Sequence, residues 1–338
     1  MNNFMRGKTL NYVRKSIKYL LIALLSVCFI FVVRFIFISN VSELNPMFTD
    51  GELEIHMVDV GQGDCFIFLQ NNKVMLVDCG TKGYLSKAYN KLQSLGVKKI
   101  DYVVISHFHQ DHSAGLYKIL HNYKVEKMIV TDMSTKSLPL YNHLFYYSIN
   151  SYIALKDLCY FGDMVEYAKT DGGFKDFNFA DSNVKFYAPV KDAYEIFNNY
   201  SLVMKVSYKD FDILMTGDME SEVEEELLEK FGDTDELQVE VYKAAHHGSK
   251  TSNTEDFLRM VDPKIVLLSS HNGDDNRYGH PVKAFVEYLD ENHIKLYRTD
   301  EQGDVFMVTD GSKVYVDKLK ADYISGQQIV NKELNERN

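Results

Sequence analysis

A short cluster of metal-ligand side chains directly follows a predicted buried strand, and this feature constrains the fold more than any other. The apolar run Tyr102–Ser106 leads straight into His107–His112, which reads His-Phe-His-Gln-Asp-His. A turn at the end of a strand can aim several side chains into one cavity. Three imidazoles and one carboxylate supply the nitrogen and oxygen donors that bind Zn²⁺, Mn²⁺ or Fe²⁺. We therefore expect a metal site here rather than a polar surface loop.

Two later segments place further donors at the ends of predicted strands. Asp218 comes just after the apolar run Leu214–Thr216, and Val241–Ala245 runs into His246 and His247. Taken alone, an Asp in such a position is typical of a turn or a helix cap. A pair of histidines is often exposed. Together with the first cluster, however, these segments put a donor at each of three strand ends, so we expect one shared site.

Short apolar runs alternate with segments of helical periodicity, and this alternation predicts an α/β architecture. Tight-turn signals such as Gly-Gln-Gly-Asp and Gln-Asn-Asn separate the first runs. The predicted strands are Leu53–Val60, Phe66–Leu69, Lys73–Asp78, Tyr102–Ser106, Asn183–Ala188, Leu202–Tyr208, Asp212–Thr216, Leu237–Lys243 and Lys264–Leu268. The predicted helices are Leu85–Leu95, Ala114–Leu120, Glu220–Phe231 and Pro281–Leu289. Residues 131–180, rich in Tyr and Phe, fit neither pattern clearly.

The apolar run Tyr19–Ile38 contains a single charge, Arg34, and is long enough to cross a bilayer as a helix. Five basic residues precede it and no A-x-A-like cleavage site follows, which favours an uncleaved anchor with a cytoplasmic N-terminus. A cleaved signal peptide is the alternative, although its apolar core would be shorter. We therefore predict a single-pass protein of the cell membrane whose main domain is extracytoplasmic. Its segments are 1–18 (basic, cytoplasmic), 19–38 (transmembrane anchor), 39–52 (linker), 53–320 (main domain) and 321–338 (polar tail).

Charge and cysteine content exclude several other classes. The chain has a net charge of −11, and residues 1–40 hold six basic and no acidic residues. The rest of the chain therefore has a net charge of −17, and its overall field does not attract a polyanion. Four cysteines without a CxxC pair are too few for a disulfide scaffold and indicate no cysteine zinc site.

Seven stretches have the character of family motifs: Asp59–Asp64, Leu76–Gly80, His107–His112, Asn199–Val203, Thr216–Asp218, Ala245–Thr251 and Asn276–Pro281. In content and order they resemble the metallo-β-lactamase-fold hydrolases, and within them the metallo-β-lactamase-like domain of ComEC-type competence proteins. The HxHxDH stretch is typical of the whole superfamily. The HHGSKTS and RYGHP stretches point to the ComEC-type subgroup. Cell-wall phosphorylcholine esterases share much of the same pattern.

The resemblance implies an αββα sandwich with two divalent metal ions at one edge, Zn²⁺ first and Mn²⁺ as the alternative. It assigns His107 and His109 to the first metal and Asp111, His112 and His247 to the second, with Asp218 bridging both. Many superfamily members supply a further His to the first metal, but this chain has no His between His143 and His246. Either Asn199 takes that place or the first metal is weakly held.

The remaining roles rest on the same resemblance and on side-chain chemistry. The predicted catalytic residues are Asp111, His246 and His280, the predicted substrate-binding residues are Asn199, Arg277 and Tyr278, and the carboxylates predicted to orient the His ligands are Asp64 and Asp78. Such carboxylates fix the ring orientation of metal-bound histidines. Cationic and polar groups near the metals would hold phosphate oxygens and stabilise developing negative charge. A strand-end turn residue at 78 and a purely structural loop at 277–280 are the alternatives.

These assignments predict a reaction class. Two divalent ions about 3.5–4 Å apart lower the pKa of a bridging water and hold both oxygens of an in-line displacement at phosphorus. We therefore expect a phosphodiesterase that uses a metal-bridging hydroxide on single-stranded DNA or on a small or wall-linked phosphodiester. The acidic main domain and the single membrane span argue against DNA import. The alternatives are hydrolysis of a β-lactam or another amide or ester, and a non-catalytic metal-binding surface protein. The sequence indicates no protein partner.

Overall fold

The computed structural model describes residues 51–131, 165–168, 176–191, 193–271 and 276–318. The predicted anchor at 19–38, the polar tail and all but two residues of the predicted linker lie outside these ranges. No helix within the described ranges combines the length and the apolar character that a bilayer span needs. The described residues thus belong to the predicted main domain and to the two residues before it.

Fifteen strands and seven helices lie within the described residues. The strands are β1 (Leu53–Met57), β2 (Phe66–Gln70), β3 (Lys73–Val77), β4 (Lys99–Ile105), β5 (Lys124–Thr131), β6 (Val165–Ala168), β7 (Phe177–Phe179), β8 (Ser182–Ala188), β9 (Val203–Tyr208), β10 (Phe211–Met215), β11 (Val241–Lys243), β12 (Ile265–Leu268), β13 (Lys295–Arg298), β14 (Val305–Thr309) and β15 (Val314–Lys318). The helices are α1 (Lys87–Ser94), α2 (Gln110–Ser113), α3 (Leu116–Asn122), α4 (Ser221–Phe231), α5 (Glu255–Val261), α6 (Lys283–Glu291) and α7 (Thr299–Gln302). Turns of 3₁₀ helix cover Lys82–Tyr84, Phe197–Tyr200 and Ala245–Gly248.

The strands form two sheets. The first has the order β15-β14-β1-β2-β3-β4-β5-β6, and the second has the order β13-β12-β11-β10-β9-β8-β7. Neighbours from β3 to β6 and from β10 to β13 are parallel, whereas the other pairs are antiparallel. In the first sheet, β1 pairs with β14 so that Leu53 lies opposite Thr309. The predicted α/β class, with two sheets, is confirmed.

Apolar side chains fill the space between the sheets and the space between each sheet and its helices. One buried cluster joins the inner faces of both sheets, with Phe68 from β2 and Ile213 from β10 among its members. A second cluster joins outer faces to helices, with Leu92 from α1 and Leu227 from α4. Strands covered on both faces are mostly apolar, as in Phe66–Gln70, where every residue is buried and four of the five are apolar. The layers are therefore helix, sheet, sheet and helix.

The parallel strands carry the candidate site at their carboxyl ends. Asp78 follows β3, the stretch that begins with His107 follows β4 by one residue, and Asp218 comes shortly after β10. The strand β11 leads into the 3₁₀ turn that contains His247. In open α/β sheets, ligands bind in the crevice outside these strand ends. The two sheets thus contribute to one edge of the sandwich.

Candidate metal centre

The stretch after β4 turns its histidines inward. His107 and His112 are fully buried, and His109 has an extended backbone just before α2 begins. The ring atoms His107 Nε2 and His109 Nδ1 lie 2.9 Å apart. Asp111 is in the first turn of α2, and its side chain is 31% exposed. This stretch therefore presents three imidazoles inward and one carboxylate at the surface of the site.

The second sheet supplies Asp218 and His247 from two tight turns. Asp218 is buried, and its backbone N–H donates to Ser201 Oγ at 3.0 Å. His246 and His247 both have left-handed backbone conformations, with φ of 48° and 52°. Consecutive non-glycine residues in that region are strained. The turn sends the His247 ring into the interior, while the His246 side chain stays 23% exposed.

Four side chains from the two sheets converge. His112 Nε2 lies 3.2 Å from Asp218 Oδ1, and His247 Nε2 lies 3.5 Å from Asp218 Oδ2. His247 Nε2 is also 3.5 Å from Asp111 Oδ2. Ligand atoms of these four residues all lie within 4.8 Å of one another. The structure thus brings together the three residues assigned to the second metal and the proposed bridging carboxylate.

The hydrogen bonding of these residues fits a divalent cation. His112 Nε2, His247 Nε2 and Asp218 Oδ1 are buried, and none has a hydrogen-bond partner among the described residues. The opposite ring nitrogens are engaged: His112 Nδ1 lies 2.8 Å from Asp78 Oδ2, and His247 Nδ1 lies 2.9 Å from the Ser269 carbonyl oxygen. Buried polar atoms are almost always satisfied, and metal-bound histidines use their second nitrogen in this way. The unsatisfied atoms therefore face the place where a metal ion would lie.

The electrostatics of the metal-free site follow from its carboxylates. Burial alone would lower the pKa of His112, but Asp218 and Asp78 outweigh burial and raise that pKa well above its ordinary value. Burial is likewise outweighed at His247, whose pKa Asp218 and Asp64 raise. At His107, burial and the neighbouring His112 hold the pKa well below its ordinary value. Without metal, His112 and His247 therefore hold a proton more tightly than a free imidazole does, and His107 holds one less tightly.

On the side of His107 and His109, the site is bordered by Phe197 and Asn199 rather than by further histidines or carboxylates of the cluster. The Phe197 ring packs against it, with its centroid 4.6 Å from that of His109 and 6.0 Å from that of His107. Asn199 is buried nearby, but its Oδ1 accepts from the Glu220 backbone N–H and its Nδ2 donates to Glu222, both at 2.9 Å. Asn199 therefore supports the start of α4, and its neighbour Asn198 reaches the groove instead.

Asp64 and Asp78, the predicted orienting carboxylates, lie behind the histidines. Asp78 accepts from the Ser106 backbone N–H at 2.8 Å and from Ser106 Oγ at 2.7 Å, besides contacting His112. Asp64 Oδ2 lies 3.7 Å from His112 Nδ1, and Asp64 Oδ1 lies 3.6 Å from His247 Nδ1. Both carboxylates are buried. They approach the Nδ1 atoms of His112 and His247, on the ring edges opposite the Nε2 atoms that converge with Asp218.

Sequence reasoning missed Lys243, the last residue of β11. Its side chain is fully buried, forms an ion pair with Asp64 and lies 3.6 Å from Asp218 Oδ1. Its ammonium group also donates to the Gly217 carbonyl oxygen at 2.7 Å. Burial would lower its pKa, but Asp64 and Asp218 raise that pKa above the ordinary value. The available signal was a lysine at the end of an otherwise apolar strand, where a charge needs a partner.

A groove of about 890 Å³ opens over the cluster. Asp111, His109 and His247 line its floor, whereas Lys250 and Arg277 are the lysine and arginine that line it among the described residues. The groove is therefore open to solvent, and its basic groups are far fewer than a polyanion track would provide.

His246 stands on the groove wall. Its Nδ1 lies 3.3 Å from Glu220 Oε1, and Asn198 Nδ2 donates to the same carboxylate at 2.9 Å. Burial would raise the pKa of Glu220, but the hydrogen bond with His246 lowers it. A buried carboxylate that holds one ring nitrogen fixes the direction of the other. Glu220 and Asn198 were not predicted from the sequence.

The loop of Arg277, Tyr278 and His280 borders the same groove. Tyr278 is 71% exposed, and its ring stacks on that of His280 with centroids 5.8 Å apart. His280 also meets the His246 ring edge-on, with centroids 5.3 Å apart. Burial, reinforced by His246 and His247, lowers the pKa of His280 to about 4, so its ring is neutral at pH 7. The loop thus lies where a substrate would enter.

The matched region includes the whole Asp/His cluster. The family described as the metallo-beta-lactamase superfamily matches residues 58–271. This chain belongs to the metallo-β-lactamase superfamily. Membership of the superfamily and the convergent cluster together support a metal-dependent hydrolase with a candidate two-metal site.

Curated superfamily relatives include competence proteins. The chain is 26% identical over 272 residues to ComE operon protein 3 of Bacillus subtilis (strain 168), which covers 75% of this chain and 33% of that protein. It is 26% identical over 268 residues to Competence protein ComA of Neisseria gonorrhoeae, which covers 79% of this chain and 33% of that protein. The chain spans about a third of the length of these relatives. The predicted resemblance to ComEC-type proteins is confirmed.

Among solved structures, the chain is similar to CmlA, a diiron beta-hydroxylase from Streptomyces venezuelae. The identity is 12% and the TM-score is 0.48, over 80% of this chain and 55% of that chain.

Proposed function

We propose that this chain is a membrane-anchored, metal-dependent phosphodiesterase. The position of Asp218 carries the proposal. Its two carboxylate oxygens lie 3.2 Å from His112 Nε2 and 3.5 Å from His247 Nε2, at the meeting point of the two sheets. Both histidines belong to the ligand set of the second ion, and the Asp218 charge also acts on His107 and His109, which are assigned to the first. A carboxylate so placed can be shared by two ions, and two-ion sites suit in-line displacement at phosphorus.

The position of each residue indicates its proposed role, either in metal binding or in substrate contact. When bound, divalent ions would supply a water of lowered pKa and would stabilise charge on phosphate oxygens. Asp111, His112, Asp218 and His247 would hold one ion, and the pair of histidines that begins the cluster would face the other. His246 lines the groove beside the cluster, where Glu220 holds its Nδ1 and its Nε2 lies 3.9 Å from Asp218 Oδ2, so that the ring would contact a substrate oxygen.

The substrate proposal rests on the groove and on the relatives. Two relatives carry the names Competence protein ComA and Recombination protein 2, which makes single-stranded DNA the first substrate to test. The net charge of −17 outside residues 1–40 and the short supply of cations in the groove favour a smaller phosphodiester or a wall-linked one. In both kinds of substrate the bond cleaved is a phosphodiester, and the assay below distinguishes between the two.

The test uses the full chain in detergent with Mn²⁺ or Zn²⁺ added. End-labelled single-stranded DNA and bis(p-nitrophenyl) phosphate are the substrates, and Asp111→Ala and His109→Ala are the variants. His121→Ala, an exposed histidine on α3, is the matched control. We expect metal-dependent hydrolysis that both site variants reduce by about 10³-fold or more and that the control retains.

Each other outcome has a meaning. Intact DNA in a sample that cleaves the aryl phosphodiester would direct the search to small or wall-linked substrates. Hydrolysis of a chromogenic β-lactam in place of both would overturn the phosphodiesterase assignment. Negligible rates that Asp111→Ala leaves unchanged would indicate a metal-binding surface protein.

The membrane anchor is the second part of the proposal. It rests on the apolar run 19–38, with five basic residues before it, and it places the main domain outside the cytoplasm. We expect the full chain to stay in the membrane fraction after an alkaline carbonate wash, and a variant that lacks residues 1–40 to leave it. Protease added to intact spheroplasts should digest the main domain. Recovery of the full chain in the carbonate supernatant would contradict the anchor.

A further inference from the structure

Two groups of potential metal ligands share His112. The front group is Asp111, His112, Asp218 and His247, and the rear group is Asp64, Asp78 and His112. In each group the ligand atoms lie within 4.8 Å of one another. The rear group is fully enclosed, since both of its carboxylates are buried. On ligand type alone, a divalent cation has two possible positions, one on each side of the same imidazole ring.

Lys243 already places a cation at the rear. Its side chain is fully buried, and its ammonium group forms an ion pair with Asp64. Two buried carboxylates with no cation beside them would be strongly unfavourable. The ammonium group thus balances the Asp64 charge of the rear group with an internal side chain, whereas the front group opens on the groove.

The same ammonium group braces the front ligands. Asp64 contacts the Nδ1 atoms of both ligand histidines, at 3.7 Å for His112 and 3.6 Å for His247. Lys243 donates to the Gly217 carbonyl oxygen at 2.7 Å, and that residue directly precedes Asp218. A change at Lys243 therefore reaches three of the four front ligands without touching the groove.

We propose that Lys243 is a positioning residue that acts as a built-in cation: it occupies the rear group and thereby confines metal binding to the front group. The proposal assigns it no contact with substrate. It predicts that loss of the ammonium charge has two linked effects. The metal-free protein is destabilised, because Asp64 loses its partner, and the rear group becomes available to a metal ion.

The experiment compares four variants of the full chain in detergent: Lys243→Met, Lys243→Gln, Asp64→Asn and the double variant Asp64→Asn/Lys243→Met. Thermal unfolding is followed by circular dichroism after chelation, and again with Mn²⁺. Metal binding is measured by titration calorimetry and elemental analysis. None of these readouts depends on turnover, so failure of the phosphodiesterase proposal would leave the test intact.

We expect Lys243→Met to lower the melting temperature of the metal-free protein by about 10 °C, a buried ion pair having lost one partner. Mn²⁺ should recover more of this loss than it adds to the wild type, with one more equivalent bound. Asp64→Asn in the same chain should restore most of the metal-free melting temperature and abolish the extra equivalent. Lys243→Gln keeps a donor for the Gly217 carbonyl without the charge, and it should behave like Lys243→Met.

The contrary results are equally specific. A Lys243→Met protein with the melting temperature and metal content of the wild type would overturn the proposal. So would a Lys243→Gln protein indistinguishable from the wild type, because the hydrogen bond alone would then be sufficient. If Lys243→Met does not fold, the double variant decides: recovery of a folded protein supports charge compensation, and failure of both overturns it.

Discussion

At the scale of single residues, the donors around Asp78 explain why this position needs a carboxylate. The Ser106 backbone N–H, Ser106 Oγ and His112 Nδ1 all approach it within 2.8 Å, and each of them is a donor to it. Asp78 also has a left-handed backbone, with φ of 59°, which an asparagine accepts as readily as an aspartate. The residue is thus replaceable in shape but not in charge.

Asp78→Asn should therefore weaken metal binding with little distortion of the backbone. An amide nitrogen would face one of the three donors, and the His112 ring would lose its fixed direction. We expect the affinity for Mn²⁺ or Zn²⁺ to fall by about 10–100-fold, as measured by competition with a chelator. Asp256→Asn, an exposed carboxylate on α5, serves as control. Unchanged affinity in Asp78→Asn would remove this residue from the ligand support.

The protonation of His112 and His247 predicts the pH dependence of metal binding. Both pKa values are raised in the metal-free protein, because the attraction of neighbouring carboxylates outweighs burial. A raised pKa means that the proton is held more tightly than by a free imidazole, whereas a metal requires the free Nε2 lone pair. Metal binding should release protons, and affinity should rise as pH increases from 6 to 8. Calorimetry in buffers of different ionisation enthalpy measures the release, and a pH-independent affinity would contradict it.

At the scale of elements, the loop between β1 and β2 packs against the start of α2. A Cβ on Gly63 would lie 2.3 Å from the Asp111 carbonyl oxygen, so no side chain fits at this position. The next residue, Asp64, donates its backbone N–H to the same oxygen at 3.1 Å. This close approach fixes the distance between the loop that carries Asp64 and the helix that carries Asp111.

Gly63→Ala should therefore separate the two elements. We expect a loss of about 1–3 kcal/mol in the free energy of unfolding, together with weaker metal binding. Gly83→Ala lies on the rim of the same groove with no atom within 4 Å of its Cβ, and it should change neither property. Thermal unfolding and metal titration of both variants test this, and equal behaviour of the two would refute the packing argument.

The site elements were largely predictable because the donors follow apolar strands. His107, Asp218 and His247 could be placed at strand ends, since predicted strands of five to seven residues precede them. Their convergence depends on two sheets that meet at one edge, and no single predicted strand indicates that meeting. Asn199 is a similar case. Its motif predicted a position near the site, but not its hydrogen bonds with Glu220 and Glu222.

At the scale of the whole molecule, the candidate metal centre joins the two sheets. His112 belongs to the stretch after the first sheet's β4, whereas Asp218 and His247 belong to the second sheet. A bound ion would therefore cross-link the halves of the sandwich, and its binding free energy would add to the free energy of unfolding.

Chelation should lower the melting temperature, and added metal should raise it in a concentration-dependent way. At a free metal concentration one hundred times the dissociation constant, the gain is about 2.7 kcal/mol. Circular dichroism with EDTA and with increasing Mn²⁺ measures this shift. In Asp218→Ala the shift should vanish, because the second-sheet carboxylate that lies beside both His112 and His247 is absent. A shift that persists in this variant would place the metal elsewhere.

Parts of the architecture gave no clear sequence signal. The strand β13 is only partly buried and has a charged residue at each end, so its two apolar residues formed no recognisable pattern, whereas the fully buried β14 was simply not predicted. Lys243 was missed because a charged residue inside an apolar run marks a strand end, and nothing local reveals a partner 179 positions earlier in the chain. Periodicity reports which face of an element is buried, but not what faces it.

The pairing of β1 with β14 affects when the first sheet can form during synthesis of the chain. Leu53 meets Thr309, so the first strand of the eight-stranded sheet has one neighbour missing until almost the entire domain has been synthesised. Asp218 and His247 also emerge more than one hundred residues after His107. A nascent chain that stops before them can neither gather the four ligands nor close its first sheet. The four ligands are therefore complete only once residue 247 has been synthesised, and β1 gains its second neighbour only once Thr309 has followed.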